Sequence, residues 1–165
     1  MPAKPTKTAS YLGITALLAV FVLMDSSCKD NALFDGSKPI TDNAWSFKDK
    51  KDNYVRIRDV SKSYDLLLNL RITTNYKYSN IFLLLHIFEP GQKKSTRRLE
   101  FKLADQKGEW LGSGSGSTFS YQIPFARDVR FAKAGVYNFQ FEQNMREEPL
   151  RDVVDCGIRI QPPAH

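Results

Sequence analysis

Apolar side chains recur at every second position through most of this chain, and a period of two commits a segment to strand rather than helix. Leu66, Leu68, Leu70 and Ile72 share one side, with Asp65, Asn69, Arg71 and Thr73 on the other, which predicts one face in a core and one in water. Leu99, Phe101 and Leu103 alternate with Arg98, Glu100 and Lys102, and Tyr137, Phe139 and Phe141 with Asn138, Gln140 and Glu142. Phe119, Tyr121, Ile123 and Phe125 repeat the pattern, as do Val154, Cys156, Ile158 and Ile160. Tyr54–Val60 sets Val55 and Ile57 opposite Arg56 and Arg58, and Ala44–Phe47 reads as a short strand with Trp45 and Phe47 on one face. Ile81–Phe88 is apolar on both faces except at His86, so it reads as a central strand covered on both sides. Its length of about eight, between Asn80 and Pro90-Gly91, argues against a helix. The polar run Lys48–Asn53, the connector Thr74–Asn80, the basic hairpin region Gln92–Thr96, the Ala134-Gly135 turn and the charged stretch Arg146–Asp152 separate these segments. Seven or eight half-buried strands with no helical periodicity predict an all-β fold, an antiparallel β-sandwich over 44–161.

The N-terminus is different. Tyr11–Met24 is an uncharged run of 14 residues preceded by Lys4 and Lys7. As a helix it would rise about 21 Å, short of the roughly 30 Å hydrocarbon core of a bilayer. A basic start, a short apolar run and a small-residue exit describe a secretory signal peptide. Ser26-Ser27-Cys28 resembles the lipobox of bacterial lipoproteins, with Asp25 standing where an aliphatic residue is usual. In that group the cysteine is acylated and becomes the first residue of the mature chain. The expectation is therefore a signal peptide over 1–27, a lipid on Cys28, a tether over 28–43, the sandwich over 44–161 and a tail over 162–165. Two or more acyl chains hold a soluble domain at a membrane where one would not.

Charge and cysteines narrow the function. The chain carries 24 Lys and Arg against 18 Asp and Glu, and removal of Lys4, Lys7 and Asp25 with the signal leaves 22 against 17. An exported protein of this kind meets no nucleic acid, so the basic excess is expected to face anionic envelope surfaces. With Cys28 acylated, Cys156 has no partner, and no disulfide framework is available. The domain must stand on its core alone.

Catalytic signals are missing. Gly112–Ser117 reads GSGSGS, but no Gly-Lys-Ser/Thr follows it and no Gly-x-Ser-x-Gly frame passes through it. It reads as a flexible loop between two strands. Trp110 at its base either caps the core or offers a recognition surface. His86 has only His165 as a fellow histidine, so a metal site or a triad lacks partners. Cys156 lies on a core-facing stripe, and Glu147-Glu148 sits in a charged loop. No cofactor, metal or enzymatic activity is expected.

Several segments together resemble a known family. They are Ala44-Trp45-Ser46-Phe47, Tyr64-Asp65-Leu66, Asn69-Leu70-Arg71 and Tyr76-Lys77-Tyr78-Ser79-Asn80, followed by Gly108-Glu109-Trp110-Leu111-Gly112, Gly135-Val136-Tyr137 and Gln143-Asn144-Met145-Arg146. Over roughly Leu33 to Ile160 the chain is similar to the GldH family of gliding-motility lipoproteins of Bacteroidetes. The resemblance implies an outer-membrane lipoprotein required for gliding, tied to the motility and type IX secretion machinery. It implies a membrane contact through the N-terminal lipid, on either the periplasmic or the outer face, and other envelope proteins of that machinery as partners. Only Cys28 carries a role over. Loops at the ends of sandwiches are where such folds recognise partners, which singles out Trp110, Gly112, Gly114 and Gly116 together with Arg146 and Arg151. The alternative is a surface lipoprotein that binds carbohydrate by stacking Trp110, Tyr76 and Tyr78 on sugar rings.

Intact mass of the protein extracted from membranes checks the anchor. A chain beginning at Cys28 with added acyl mass is expected, and Cys28→Ala should lose both features. An unmodified chain cut elsewhere would remove the lipid from the account.

Overall fold

The computed structural model describes residues 30–91 and 94–163; the expected signal peptide, Cys28 and His165 lie outside them. The leucine stripe forms the strand it predicts. In β4 (Ser63–Thr73), Leu66, Leu68, Leu70 and Ile72 are all buried. β4 is the middle of a five-stranded antiparallel sheet, ordered β1 (Phe34–Pro39), β11 (Val153–Gln161), β4, β8 (Thr118–Arg130) and β7 (Ser113–Ser115). A four-stranded sheet runs β3 (Lys51–Ile57), β9 (Gly135–Gln143), β5 (Asn80–Phe88) and β6 (Lys94–Lys102). A two-stranded ribbon pairs β2 (Ala44–Trp45) with β10 (Leu150–Arg151). The two large sheets enclose one core, so the expected antiparallel sandwich is the observed fold.

Aromatic rings knit the sheets together. Phe125 of β8 meets Phe101 and Phe141 of the facing sheet edge-on, at 6.1 and 6.4 Å between ring centres. Phe131 lies 4.8 Å from Tyr137 and 6.0 Å from Tyr64. Each such ring or large aliphatic chain contributes about 1.5–3 kcal/mol on full burial. Cys156 is buried and free among the described residues, and burial pushes its thiol pKa well up.

Several expectations need correction. The stretch 28–43 is not all tether, because Phe34–Pro39 forms β1, hydrogen-bonded along the edge of β11. Its polar sequence conceals this, since an edge strand needs no apolar alternation and tolerates Lys38 and Pro39. Nor is Lys48–Asn53 all turn. The chain turns at Ser46–Asp49, and Lys51 and Asn53 enter β3 as buried residues. Their donor groups are matched locally. Lys51 Nζ donates to Pro39 O at 2.9 Å and pairs with Asp49 at 2.6 Å, and Asn53 Nδ2 donates to Lys51 O and Phe139 O. The same turn separates Trp45, which is fully buried, from Phe47, which is 44% exposed.

β5 is covered on one face only. Ile81, Leu83 and Leu85 are buried, whereas Phe82, Leu84 and Phe88 are half-buried on the outer face of the four-stranded sheet. Conversely, the outer face of β4 is not simply wet. Asp65, Leu67 and Asn69 are buried because β4 has neighbours on both sides. In β11 a register shift between Val153 and Asp155 puts Val153, not Val154, on the buried stripe. Eleven strands result, the three beyond the expected eight being β1, β7 and β10.

The pairings also sort the connections into two ends. Thr73↔Thr118, Asn80↔Lys102 and Ile72↔Val153 mark one, here the loop end. Phe34↔Ile160, Ser63↔Arg130, Ile57↔Gly135 and Phe88↔Lys94 mark the other, where the described chain starts. β1 and β11 approach so closely that a side chain at Gly157 would lie 2.6 Å from Ser37 Cα. Gly157→Ala should therefore destabilise the domain by about 2–3 kcal/mol, read from urea denaturation, with exchange-labile amides appearing in Phe34–Pro39. An unchanged midpoint would refute the close packing of β1.

Candidate partner surface at the loop end

Five connections converge at the loop end. They are Thr74–Ser79, 103–112, the Gly116-Ser117 turn, Asn144–Pro149 and Ser46–Lys50. Ser79 O accepts from the amides of Leu103 and Ala104 at 2.7 and 3.0 Å, which ties the first two together. Asp105 closes the second as a small hairpin, its Oδ1 accepting from Lys107 N and Glu109 N while Ala104 bridges to Trp110. Trp110 is half-buried against the core, 5.7 Å from the Phe119 ring and 6.4 Å from Tyr76.

The Gly-Ser tract expected to be a flexible loop is instead a strand and a tight turn. Ser113–Ser115 pairs with Thr118–Ser120, and Gly116, at φ +59°, turns the chain between them. Glycine is needed for contact as well as for conformation. A Cβ on Gly112 would sit 2.7 Å from the Tyr121 ring, and one on Gly114 would sit 3.2 Å from Phe119. Tyr121 in turn donates its hydroxyl to Leu103 O at 3.0 Å, and burial pushes its pKa to about 12.

On the other flank, buried Gln143 holds the turn after β9. Its Nε2 donates to Glu147 O and to Glu148 Oε2 at 3.2 and 3.0 Å, and its Oε1 accepts from Met145 N. Glu148 also accepts from the Ser46 hydroxyl at 2.5 Å and from Phe47 N at 3.0 Å. The Ser46 bond foremost holds this carboxyl below the usual range. Leu150 and Trp45, both fully buried, pair in the ribbon beneath, and Trp45 Nε1 donates to Asp49 O at 2.7 Å.

Tyr76 and Tyr78 bridge the two flanks. Tyr76 touches Trp110 on one side and Tyr78 on the other, and Tyr78 donates to Glu147 at 2.9 Å. The hydrogen bond to Glu147 foremost raises the Tyr78 pKa. Tyr76 is only 4% exposed, with its hydroxyl donated to Asn80 O. These rings pack on one another, with Tyr76 buried and Tyr78 and Trp110 half-buried.

Of the residues singled out in the sequence, Trp110, Gly112, Gly114 and Gly116 lie on one flank. Arg146 and Arg151 are exposed on the other. Arg146 lines a cleft of about 310 Å³ with Tyr78, Phe82, Arg98, Asn144 and Met145. Its floor is built: Arg98 lies 3.9 Å above the Phe82 ring and donates to Asn144 Oδ1 at 2.9 Å, and Met145 Sδ accepts from Phe82 N. Two guanidinium groups over an aromatic and thioether floor suit an acidic or aromatic side chain. Arg98 was legible only as an outward strand position, because its stack on Phe82 depends on the pairing of β5 with β6.

His86, Glu142 and Lys50 form a structural cluster. His86 Nδ1 lies 2.8 Å from Thr96 Oγ1 and its Nε2 lies 3.0 Å from Glu142, which Lys50 also pairs at 2.7 Å. Burial raises the Glu142 pKa, but the hydrogen bonds from Lys50 and His86 outweigh it and leave the carboxyl below its ordinary value. No group of three or more His, Cys, Asp or Glu able to hold a metal ion occurs among the described residues.

The sequence pattern of the GldH lipoprotein family matches residues 32–160, from before β1 to the penultimate residue of β11. The chain belongs to the GldH lipoprotein family. It is 30% identical over 151 residues to a protein named gliding motility lipoprotein GldH homolog from Christiangramia forsetii, covering 85% of this chain and 90% of that one. It is also 30% identical over 160 residues to the gliding motility lipoprotein GldH of Flavobacterium johnsoniae, covering 90% and 94%. No solved structure matches it. Both relatives are named as gliding motility lipoproteins.

A carboxylate with a lowered folded pKa stabilises the fold fully above its unfolded value of about 4.3, and loses that contribution as pH falls through the folded value. Glu148→Gln should thus lower the melting temperature at pH 7, and the gap to wild type should close as pH falls from about 5 to about 3. A gap independent of pH in thermal melts would refute the role given to the Glu148 carboxylate.

Proposed function

We propose that this chain is an outer-membrane lipoprotein of the gliding apparatus, anchored through Cys28, that works by binding other envelope proteins of the motility and type IX secretion machinery. The observation that carries this reading is the division of labour between the two ends. The described chain starts at one end, beside Ile160, while the structured connections and the Arg98–Arg146 cleft lie at the other. A lipid on Cys28 would be five residues, at most about 18 Å of chain, from Leu33, which is already bonded to Ile160 O. The loop end is then held away from the anchor, where a partner can reach it. Family membership supports the motility role. The machinery, the membrane and the partner surface are the proposal.

Recognition is assigned to the exposed rim, chiefly Arg146 with Arg151, and to Trp110 and the glycine hairpin as the frame beside it. Arg146→Glu with Arg151→Glu should abolish or strongly reduce gliding in cells, while the unfolding free energy moves by no more than about 0.5 kcal/mol, as is usual for exposed sites. Normal gliding by a folded double variant would retire this surface.

A further inference from the structure

The end where the described chain starts is chemically unlike the rest of the domain. Its three connections and the residues that flank them carry Arg56, Arg58, Lys62, Lys94, Arg130 and Lys133 against only Asp59 and Glu89. The other described residues, which include Asp30, Asp35, Asp65, Arg127, Asp128 and Arg159 near the same end, contain fourteen Lys and Arg against fifteen Asp and Glu, so the basic excess of the domain lies in these connections. All six cations are exposed. Among the described residues the only ion pair any of them makes is Lys62 with Asp59, at 3.7 Å. Elsewhere at this end Asp35 and Arg159 are bonded to each other.

Apolar surface accompanies the charge. Of the six large hydrophobic side chains exposed among the described residues, Leu33, Tyr54, Val60 and Val136 lie toward this end. Tyr54 is 64% exposed and borders a groove of about 670 Å³ with Val136, Phe88, Pro90 and Lys94, the last lying 5.3 Å over the Phe88 ring. Cations around amphipathic and apolar side chains match a headgroup layer, where Tyr and Lys reach both phosphate and acyl boundary. Cys28 enters the sequence only a few residues before this end.

We infer that this end is a lipid-facing surface, which seats the domain end-on upon an anionic phospholipid layer through Arg56, Arg58, Lys62, Lys94, Arg130 and Lys133. The inference rests on the anchoring of Cys28 proposed above. The lipid holds the chain within about two Debye lengths of the membrane, and the basic end then fixes which way the domain points. Tyr54 and Val136 enter the interface. The loop end is presented outward.

The test uses the lipoprotein extracted from membranes and reconstituted in phosphatidylcholine vesicles with or without phosphatidylglycerol, read by hydrogen exchange. Segments 56–62 and 129–136 should exchange at least about fivefold more slowly on the anionic vesicles. The slowing should vanish at high salt and in an Arg56→Gln, Arg130→Gln, Lys133→Gln variant, whose substitutions are all on exposed side chains. Equal exchange on both vesicles, or slowing confined to 103–117, overturns the inference. If intact mass shows no acyl group, the anchor has failed by itself. Sedimentation of the unmodified chain with the two vesicle types then decides the surface. Selective sedimentation with phosphatidylglycerol, weakened roughly 100-fold by the triple change, upholds it, and none refutes it.

Discussion

The pairing of β4 on both sides is the interaction from which the rest of this fold follows. β8 holds one edge of Ser63–Thr73 and β11 the other, so the centre of the chain is bonded to its last strand and to the strand after the Gly-Ser tract. The leucine face of β4 is thereby fixed toward the second sheet. A slip of one residue would turn Leu66, Leu68, Leu70 and Ile72 outward, an error the core cannot absorb. With its described cysteine buried and free, the domain has no covalent staple for this register. Burial supplies it.

The same constraint explains the polar residues inside. β3 enters the sheet at Lys51, before its apolar positions begin, so Lys51 and Asn53 are drawn into the interior and must find partners there. Lys51 does so through Pro39 O and Asp49, and Asn53 through two carbonyls, while Asn53 Oδ1 is left without a partner. A lost hydrogen bond in such a place costs about 1–3 kcal/mol, so these groups locate the strand start as firmly as an apolar residue would. At the loop end, Gln143 and Glu148 play the equivalent part for the turn after β9.

The two ends of the sandwich differ in character. One end is knit by hydrogen bonds and stacked rings into a fixed rim with a small cationic cleft. The other leaves Arg56, Arg58, Lys94, Arg130 and Lys133 without an ion pair among the described residues and carries exposed hydrophobic side chains, next to where the described chain starts. His86 is committed to Thr96 and Glu142, and Cys156 is sealed in the core with its thiol pKa raised by burial.

Alternation alone determined the architecture. Wherever one face of a strand was dry and the other wet, as in β4, β6, β8 and β9, the period of two named the strand and its inward residues. The segments around Trp110 and Gln143 carried the family. Tertiary structure decided what no local pattern encodes. β1 became a strand because Gly157 leaves room for a backbone, and the Gly-Ser tract became one because Gly112 and Gly114 lie against Tyr121 and Phe119. The outer face of β5 stayed open because no layer covers it, although its composition matches a buried strand. The cleft of Arg98 and Arg146 and the basic far end unite residues distant in sequence. Local composition reports how a side chain meets water along its own strand, while a surface depends on which strands the fold places side by side.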